Sequence, residues 1–399
     1  MKLQLAMKVL ADLMSWDDER LTAELPWLRL MVNYKYDHYH GYGPGVRFCV
    51  NLIYWLSQFN TKEERETAFK FVRTKLIYIS SREMLHLVGL SMAEIRRSMR
   101  RSVAQSMNIP VHKTWGNKDC AVRLNQMHMR TLYVALSDGA KIDSFRRFNE
   151  GAVSNEQIVA SPEISEKKWR GLIKDLRKRL DENGWEDVSA QFERICLIDD
   201  FTASGSTLIR EDTNATDNAK YCEQKFPDDF VPISPDCIKL SRVWSGKIPR
   251  FCEQKFPDDF TPLTSGCIIH AHHYIATEKA RQTVSDAVAL FASQQKISIE
   301  LTFSTVFEKS IVLTDGDEDT NLVALIKKCY DKGIEDKHTG KDIWFGYKQC
   351  GLPLVLDHNT PNNSVALIWA ETDPKNQQGV KMSPLFPRIK RHSEHGQSI

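Results

Sequence analysis

Two adjacent carboxylates at the end of an apolar run are the residues in this chain whose types and spacing most directly suggest chemistry. In ICLIDDFTASGSTLIR (195–210), Ile195 to Ile198 read as a buried strand that delivers Asp199 and Asp200, and the chain then turns through small residues toward an expected helix. Backbone N–H groups of such a turn form an anion-binding concavity, and Gly205 lets that backbone approach phosphate oxygens closely. Thr202, Ser204, Ser206 and Thr207 add hydroxyl donors around Ala203 and Gly205. Four such bonds at about 1.5 kcal/mol each hold a phosphate by roughly 6 kcal/mol before ordering costs. An ionised aspartate only accepts hydrogen bonds and a vicinal diol offers two donors, so the acid pair suits ribose hydroxyls. The chemistry indicated is the holding of a phosphorylated sugar. The plain alternative is a strand-to-helix turn capped by its acids.

A second small-residue loop follows another strand. In TLYVALSDGAKIDSFRR (131–147), Ser137, Asp138, Gly139 and Ala140 expose backbone donors, and Lys141, Arg146 or Arg147 can supply positive charge to an anionic group. An Asp-Gly turn without a ligand is the competing reading. SNEQ (154–157) offers Asn155, Glu156 and Gln157 to a base or ribose, or else is a helix start with Ser154 as cap and Gln157 closing a capping box. In GYKQCGLPLVLDHNTPNNSVALIW (346–369), the loop HNTPNNS carries amides that can read a base edge, with Asp357 and His358 as candidate base and acid; a hairpin with Asn in left-handed turn positions explains it equally.

Three further groups have both a functional and a structural reading. His270, His272 and His273, with Cys267 or Glu278, raise the question of zinc, but no second pair with ligand spacing accompanies them, so no metal site is assigned; a strand-end cluster near the sugar is preferred. Arg96, Arg97, Arg100 and Arg101, and separately Arg388, Lys390 and Arg391, can meet nucleic-acid phosphates or form a solvated or protein-facing surface. Tyr34, Tyr36, Tyr39 and Tyr42 can stack bases or pack between helices.

The elements that must position these residues follow from periodicity. Residues 1–110 carry apolar side chains at helical spacing, as in Leu5, Val9, Leu10 and Leu13, and are expected to form a helical N-terminal region. From 111 to 399, short β-branched runs alternate with helical stretches: strands at 131–136, 194–199, 266–274 and 297–307, and helices at 165–184 and 276–295. That order predicts an α/β fold with a parallel sheet and crossover helices. An insertion is expected near 211–265, where CEQKFPDDF occurs twice, at 222–230 and 252–260, each followed by a Cys-Ile pair. Two copies are too few for a solenoid.

Composition narrows the function classes. The 399 residues, 42% apolar and 27% charged, describe a globular chain, and 54 basic against 52 acidic residues give a formal +2 that excludes binding driven by bulk positive charge. The nine cysteines include no CxxC pair and read as reduced thiols. No secretory leader and no apolar run long enough for a bilayer is apparent, so a soluble, cytoplasmic protein without a membrane partner is expected.

The acid pair and its turn resemble the phosphoribosyl-pyrophosphate loop of the common α/β (type I) phosphoribosyltransferases, which has an apolar strand, two acids and a Thr-Gly-x-Thr turn; here the turn reads Ser204-Gly205-Ser206-Thr207. Purine-salvage members carry another Asp where this chain has Ala203, which argues against that role. LSDGAKIDSFRR, SNEQ, DDFTASGSTL, IIHAHHYIATEKA, FGYKQCGLPLVLDHNTPNNSVALIWAE and LFPRIKRH together resemble the phosphoribosyltransferase-like proteins of bacterial conflict systems, anti-phage and partly retron-associated, over about residues 75–393. The resemblance implies phosphoribosyl pyrophosphate (PRPP) with Mg²⁺ on its pyrophosphate, Asp199 and Asp200 as catalytic residues, the 5′-phosphate on 202–207 and the pyrophosphate on 137–141. It implies a glycosyltransferase with an unidentified acceptor, in an antiviral defence setting. An inactive nucleotide or sugar-phosphate sensor, or a nucleic-acid-contacting subunit of a defence complex, are the alternatives.

Overall fold

Capped amphipathic helices and short apolar strands alternate through the computed structural model of this chain, which describes residues 3–39, 47–161, 164–206, 208–211, 244–245, 256, 260–295, 297–335, 340–372 and 380–388. In chain order the first elements are α1 (Leu3–Met14), α2 (Asp18–Tyr34), α3 (Phe48–Ser57), α4 (Lys62–Thr74), β1 (Ile77–Ile79), α5 (Ser81–Ser106) and α6 (Lys118–Met129). Next come β2 (Thr131–Ala135), α7 (Ile142–Phe148), β3 (Ile158–Val159), α8 (Glu166–Glu182), β4 (Phe192–Thr202), β5 (Arg210–Glu211) and β6 (Trp244–Ser245). The remainder are β7 (Leu263–Thr277), α9 (Glu278–Gln295), β8 (Ser298–Phe307), α10 (Thr320–Lys328), β9 (Leu354–Leu356) and α11 (Ala366–Trp369). They fall into two units, residues 1–84 with 308–399, and residues 85–307.

The first unit joins both ends of the chain. Asp17 caps α2 by accepting from the Arg20 amide at 2.8 Å, and Thr61 with Glu64 closes a capping box on α4. The apolar faces of α1, α3 and α4 share one core with residues far along the chain, including Leu322, Ile326, Leu367 and Phe386. A two-stranded parallel sheet pairs β1 with β9, Ile77 opposite Leu354. Tyr36 and Tyr39 are buried in this core against Phe386, which settles them as packing residues, whereas Tyr34 is exposed and Tyr42 lies outside the described residues. Arg388 lies over the Trp369 ring; Lys390 and Arg391 are outside the described residues.

The second unit holds a five-stranded sheet in the order β3-β2-β4-β7-β8, with every neighbouring pair parallel. β2 and most of β4 are buried on both faces, which is why they read as continuous apolar runs, whereas the edge strand β8 is only half-buried. One face packs on α8 and α9 through Trp169, Leu172, Leu176, Val284, Val288 and Phe291. The other face meets α5 through polar groups, described below. Ser165 caps α8, whose chain leaves through Gly184 at φ +72°. The fold is therefore α/β with a parallel sheet, and the N-terminal region is helical.

Two expectations are corrected. The strand carrying the acids continues through Thr202 instead of ending at Asp199, because β7 pairs with it as far as Ala276. No helix follows the small-residue turn among the described residues: the Leu208 amide bonds the Gly205 carbonyl at 3.2 Å for a single turn, and β5 then pairs antiparallel with β6. Leu208 and Ile209 are drawn into the sheet-side core, which ends the turn. Most of the 211–265 insertion, the first CEQKFPDDF copy and all of the second except Phe256 and Phe260 lie outside the described residues; Phe256 packs edge-on against Trp169. The six cysteines described are free thiols.

Candidate functional site at a sheet switch point

From β2 the chain crosses to β3 on one side, and from β4 it goes to β7 on the other. The carboxyl ends of β2 and β4 thus mark the point where connections diverge, the usual crevice for ligands in open α/β sheets. The two small-residue loops recognised in the sequence both leave from here. The loop after β2 is a 3₁₀ turn over Asp138–Ala140, followed by Lys141 at φ +44°, ψ +43°, whose carbonyl opens α7 by accepting from Phe145 at 3.0 Å. Ser137 Oγ donates to Asp199 Oδ1 at 2.5 Å, and a Cβ on Gly139 would stand 2.2 Å from Asp200 Oδ2. Only glycine lets the loop lie on that carboxylate.

Strand alternation gives the two acids different surroundings. Asp199 shares the α8/α9 face with His273, its register partner, whose Nε2 is 3.9 Å from Asp199 Oδ2. Asp200 points to the α5 face, where its Oδ1 accepts from the Phe201 amide at 2.8 Å. Tyr274 supports the loop from β7 by donating to the Ala140 carbonyl at 2.7 Å, and burial, with Cys196 and the two aspartates nearby, holds its phenol well above the usual range, so it keeps its proton. The turn after β4 rests on α9: Thr277 Oγ1 donates to the Ala203 carbonyl at 2.7 Å and accepts the Ala280 amide at 3.0 Å. Gly205 sits at φ +78°, and a Cβ there would meet Val284 at 2.6 Å. Ser204 and Ser206 bond each other through their hydroxyls at 2.9 Å. Thr207 lies outside the described residues. Asp199 exposes 4% and Asp200 6% of their surfaces, and the turn residues Thr202 to Ser206 are similarly covered where buried.

Other sequence candidates have partners of their own. Gln157 is buried at the opposite, amino end of the strands, donating to the carbonyls of His128 at 2.7 Å and Thr131 at 2.9 Å; SNEQ is a structural clasp, remote from the acid pair. Arg146 and Arg147 both pair with Asp143 on α7. Lys141 stands in the loop itself, between the 3₁₀ turn and α7. Asp357 and His358 belong to the first unit, in the turn after β9, where His358 Nδ1 and Asp357 Oδ1 are 3.1 Å apart. In the same loop Thr360 bonds Tyr39 and Ser364 bonds the Leu354 carbonyl.

The histidine cluster is polar architecture. Arg194 donates to His270 Nδ1 at 3.0 Å; His270 Nε2 meets Thr302 Oγ1 at 2.7 Å; Thr302 meets His272 Nδ1 at 2.8 Å; His272 Nε2 meets Ser304 Oγ at 3.1 Å; Ser304 donates to the Leu87 carbonyl at 3.1 Å. With an arginine at one end and a carbonyl at the other, donation runs in one sense and both imidazoles are neutral. Burial, aided by the Arg194 charge and with His272 nearby, holds His270 well below the usual range, and burial with His273 nearby holds His272 at about 3. Among the described residues no group of three His, Cys, Asp or Glu could hold a metal ion. Tyr274 and Thr277 were missed by sequence reasoning; their signal was the register of β7 beside β4, which only the paired sheet reveals.

No helix among the described residues is long and apolar enough to cross a membrane. No curated protein and no solved structure is a match for the chain. The family model described as PRTase-CE matches residues 52–388, which take in the switch-point loops, the acid pair and most of both units, and the chain accordingly belongs to the PRTase-CE family as a phosphoribosyltransferase-like protein.

Proposed function

We propose that the chain binds PRPP at the switch point between β2 and β4 and transfers its phosphoribosyl group to an acceptor. The observation that carries this reading is the convergence of Ser137 and Gly139 on Asp199 and Asp200, which joins two phosphate-type loops around one acid pair. Asp199 and Asp200 accept from the ribose hydroxyls, the 202–207 turn takes the 5′-phosphate through backbone and hydroxyl donors, and Ser137 to Lys141 take the pyrophosphate. Among the described residues no helix stands behind the turn, so the donors it offers there are loop amides and hydroxyls. The acids also favour the positive charge that develops at C1 as pyrophosphate departs and the acceptor attacks.

Mg²⁺ fits this donor set in one mode. It commonly uses one or two carboxylates with substrate phosphates and water completing the shell, and Asp199 or Asp200, which face opposite sides of the sheet, can provide one. When bound, it would neutralise the leaving pyrophosphate. Because both acids are buried, this reading requires the Ser137–Lys141 loop to open for substrate, a movement to which Gly139, with no side chain to catch on Asp200, is suited.

Calorimetric titration tests the reading. PRPP should bind in a Mg²⁺-dependent manner, at least tenfold more weakly to Asp200→Asn; equal affinity for the variant would remove the site. Ala203, where purine-salvage relatives have an acid, supports a second reading, an idle sugar-phosphate sensor. Repeated release of pyrophosphate per chain, given an acceptor, would eliminate the sensor. The proposed setting of either is a bacterial anti-phage system, with a nucleobase, nucleotide or macromolecule as acceptor.

A further inference from the structure

The second unit has a groove of about 840 Å³ between the latter half of α5 and the 3₁₀ turn Val111–Trp115, away from the sequence positions of the acid pair. Its walls carry Arg96, Arg97, Arg100, Arg101, His112 and Trp115. The arginines occupy positions i, i+1, i+4 and i+5 of one helix, and like charges at that spacing repel, so the arrangement costs helix stability unless something anionic offsets it. Glu94 offsets one, accepting from Arg97 with both oxygens at 2.8 Å. Among the described residues no carboxylate forms an ion pair with Arg96, Arg100 or Arg101. Lys113 and Lys118 are exposed on the same stretch.

The aromatic component is equally specific. Trp115 is 74% exposed, far outside any core, yet it is held in place: the Arg100 guanidinium lies over its ring, 3.6 Å from the centroid, and Arg100 Nη1 is 3.4 Å from Thr114 Oγ1. Thr114 itself is buried and donates to the Val111 carbonyl at 2.7 Å, fixing the turn. Arg100 covers one ring face, and the exposure of Trp115 leaves apolar ring surface in water beside three cations without carboxylate partners.

We infer that this groove binds single-stranded nucleic acid, with phosphates on Arg96 and Arg101 and a base stacked on Trp115. An anionic backbone alone would need only the cations; an exposed, guanidinium-backed indole among them adds the flat apolar surface that an unpaired base supplies and a duplex hides. An acidic peptide would satisfy the charges but would have no use for the ring. The near-neutral chain as a whole makes the attraction local, so the contact number is small and is read from the salt dependence. The site is independent of the proposed PRPP chemistry.

The test is fluorescence anisotropy of the full chain with labelled oligo-dT and oligo-U, duplex of equal length, and poly-glutamate as competitor. The single strands should bind more tightly than the duplex. Arg96→Ala with Arg101→Ala should weaken binding at least tenfold and reduce the slope of log K against log salt by about 1.4, since each single-strand phosphate contact contributes about 0.7. Trp115→Ala, at an exposed position, should weaken binding severalfold with an unchanged slope, and Asp200→Asn should leave binding intact. A preference for oligo-dT or oligo-U identifies the sugar, and either supports the inference. Absence of binding, equal binding of duplex, full displacement by poly-glutamate at matched charge, or indifference to Trp115→Ala would each overturn it.

Discussion

Gly139, Gly171 and Gly205 show how one chemical change takes its sign from its surroundings. A methyl group on Gly139 would overlap the Asp200 carboxylate, whereas Gly171, within α8, has nothing within 4 Å of the same added atom. Gly139→Ala should therefore lower the unfolding free energy by about 1–3 kcal/mol, the usual range for overpacking, and Gly171→Ala should raise it by about 0.5–1 kcal/mol through helix propensity. Urea unfolding of both variants checks the pair; a Gly139→Ala protein as stable as the parent would mean that the loop does not rest on Asp200. Gly205 is restricted twice, by its left-handed backbone and by Val284. At this scale the sequence was informative because adjacent acids and small residues are local features. It could not show that Asp199 and Asp200 face opposite sides of the sheet, since that depends on how far β7 extends the pairing of β4.

Among the elements, the sheet face under α5 is unusual in being polar. Arg194, fully buried, donates to Glu300 from Nη1 at 2.8 Å and to Ser102 at 2.9 Å, while continuing into the histidine chain. Arg194 is fully buried while Glu300 keeps a quarter of its side chain exposed and can be partly solvated, so Arg194→Met should cost about 1.5–3 kcal/mol, and adding Glu300→Leu should recover much of it. Failure of the double variant to exceed the single one in urea midpoint would show that the pair is not the principal term. The same seam sets an acid limit. His270 and His272 are held below the ordinary value of about 6.5 that they regain on unfolding, so the unfolded chain binds more protons as pH falls below 6.5. Stability is full above that pH and declines below it, each histidine contributing up to about 1.4 kcal/mol per pH unit. Urea midpoints measured from pH 6.5 to 5.5 should fall steadily; a flat profile would mean that both imidazoles protonate without penalty. Sequence periodicity located α8, α9 and the strands, because these elements have one apolar pattern each. It placed a helix directly after the acid pair, where the described residues instead hold a single turn and β5, because Leu208 and Ile209 satisfy their apolar character by entering the sheet core directly.

For the whole molecule, the decisive feature is that one unit is assembled from both chain ends. Leu10, Trp55 and Phe69 share a core with Leu322, Ile326, Val355 and Phe386, and β1 finds its strand partner β9 only after 274 intervening residues, from 80 to 353. No local pattern could reveal this, since each half reads as an amphipathic segment with an unspecified partner. Pairing at such separation must overcome a large loop-closure entropy, so the helices α1 to α4 are expected to wait, apolar faces open, until residues beyond 308 are present. A chain ending at residue 307 should therefore aggregate or bind a hydrophobic dye, and supplying residues 308–399 as a separate polypeptide should restore a soluble complex, because the missing core surface is provided without a covalent link. A truncated chain with the parent's near-ultraviolet circular dichroism and no dye binding would show that residues 1–84 bury their apolar surface unaided, and the shared core would then be incidental to folding.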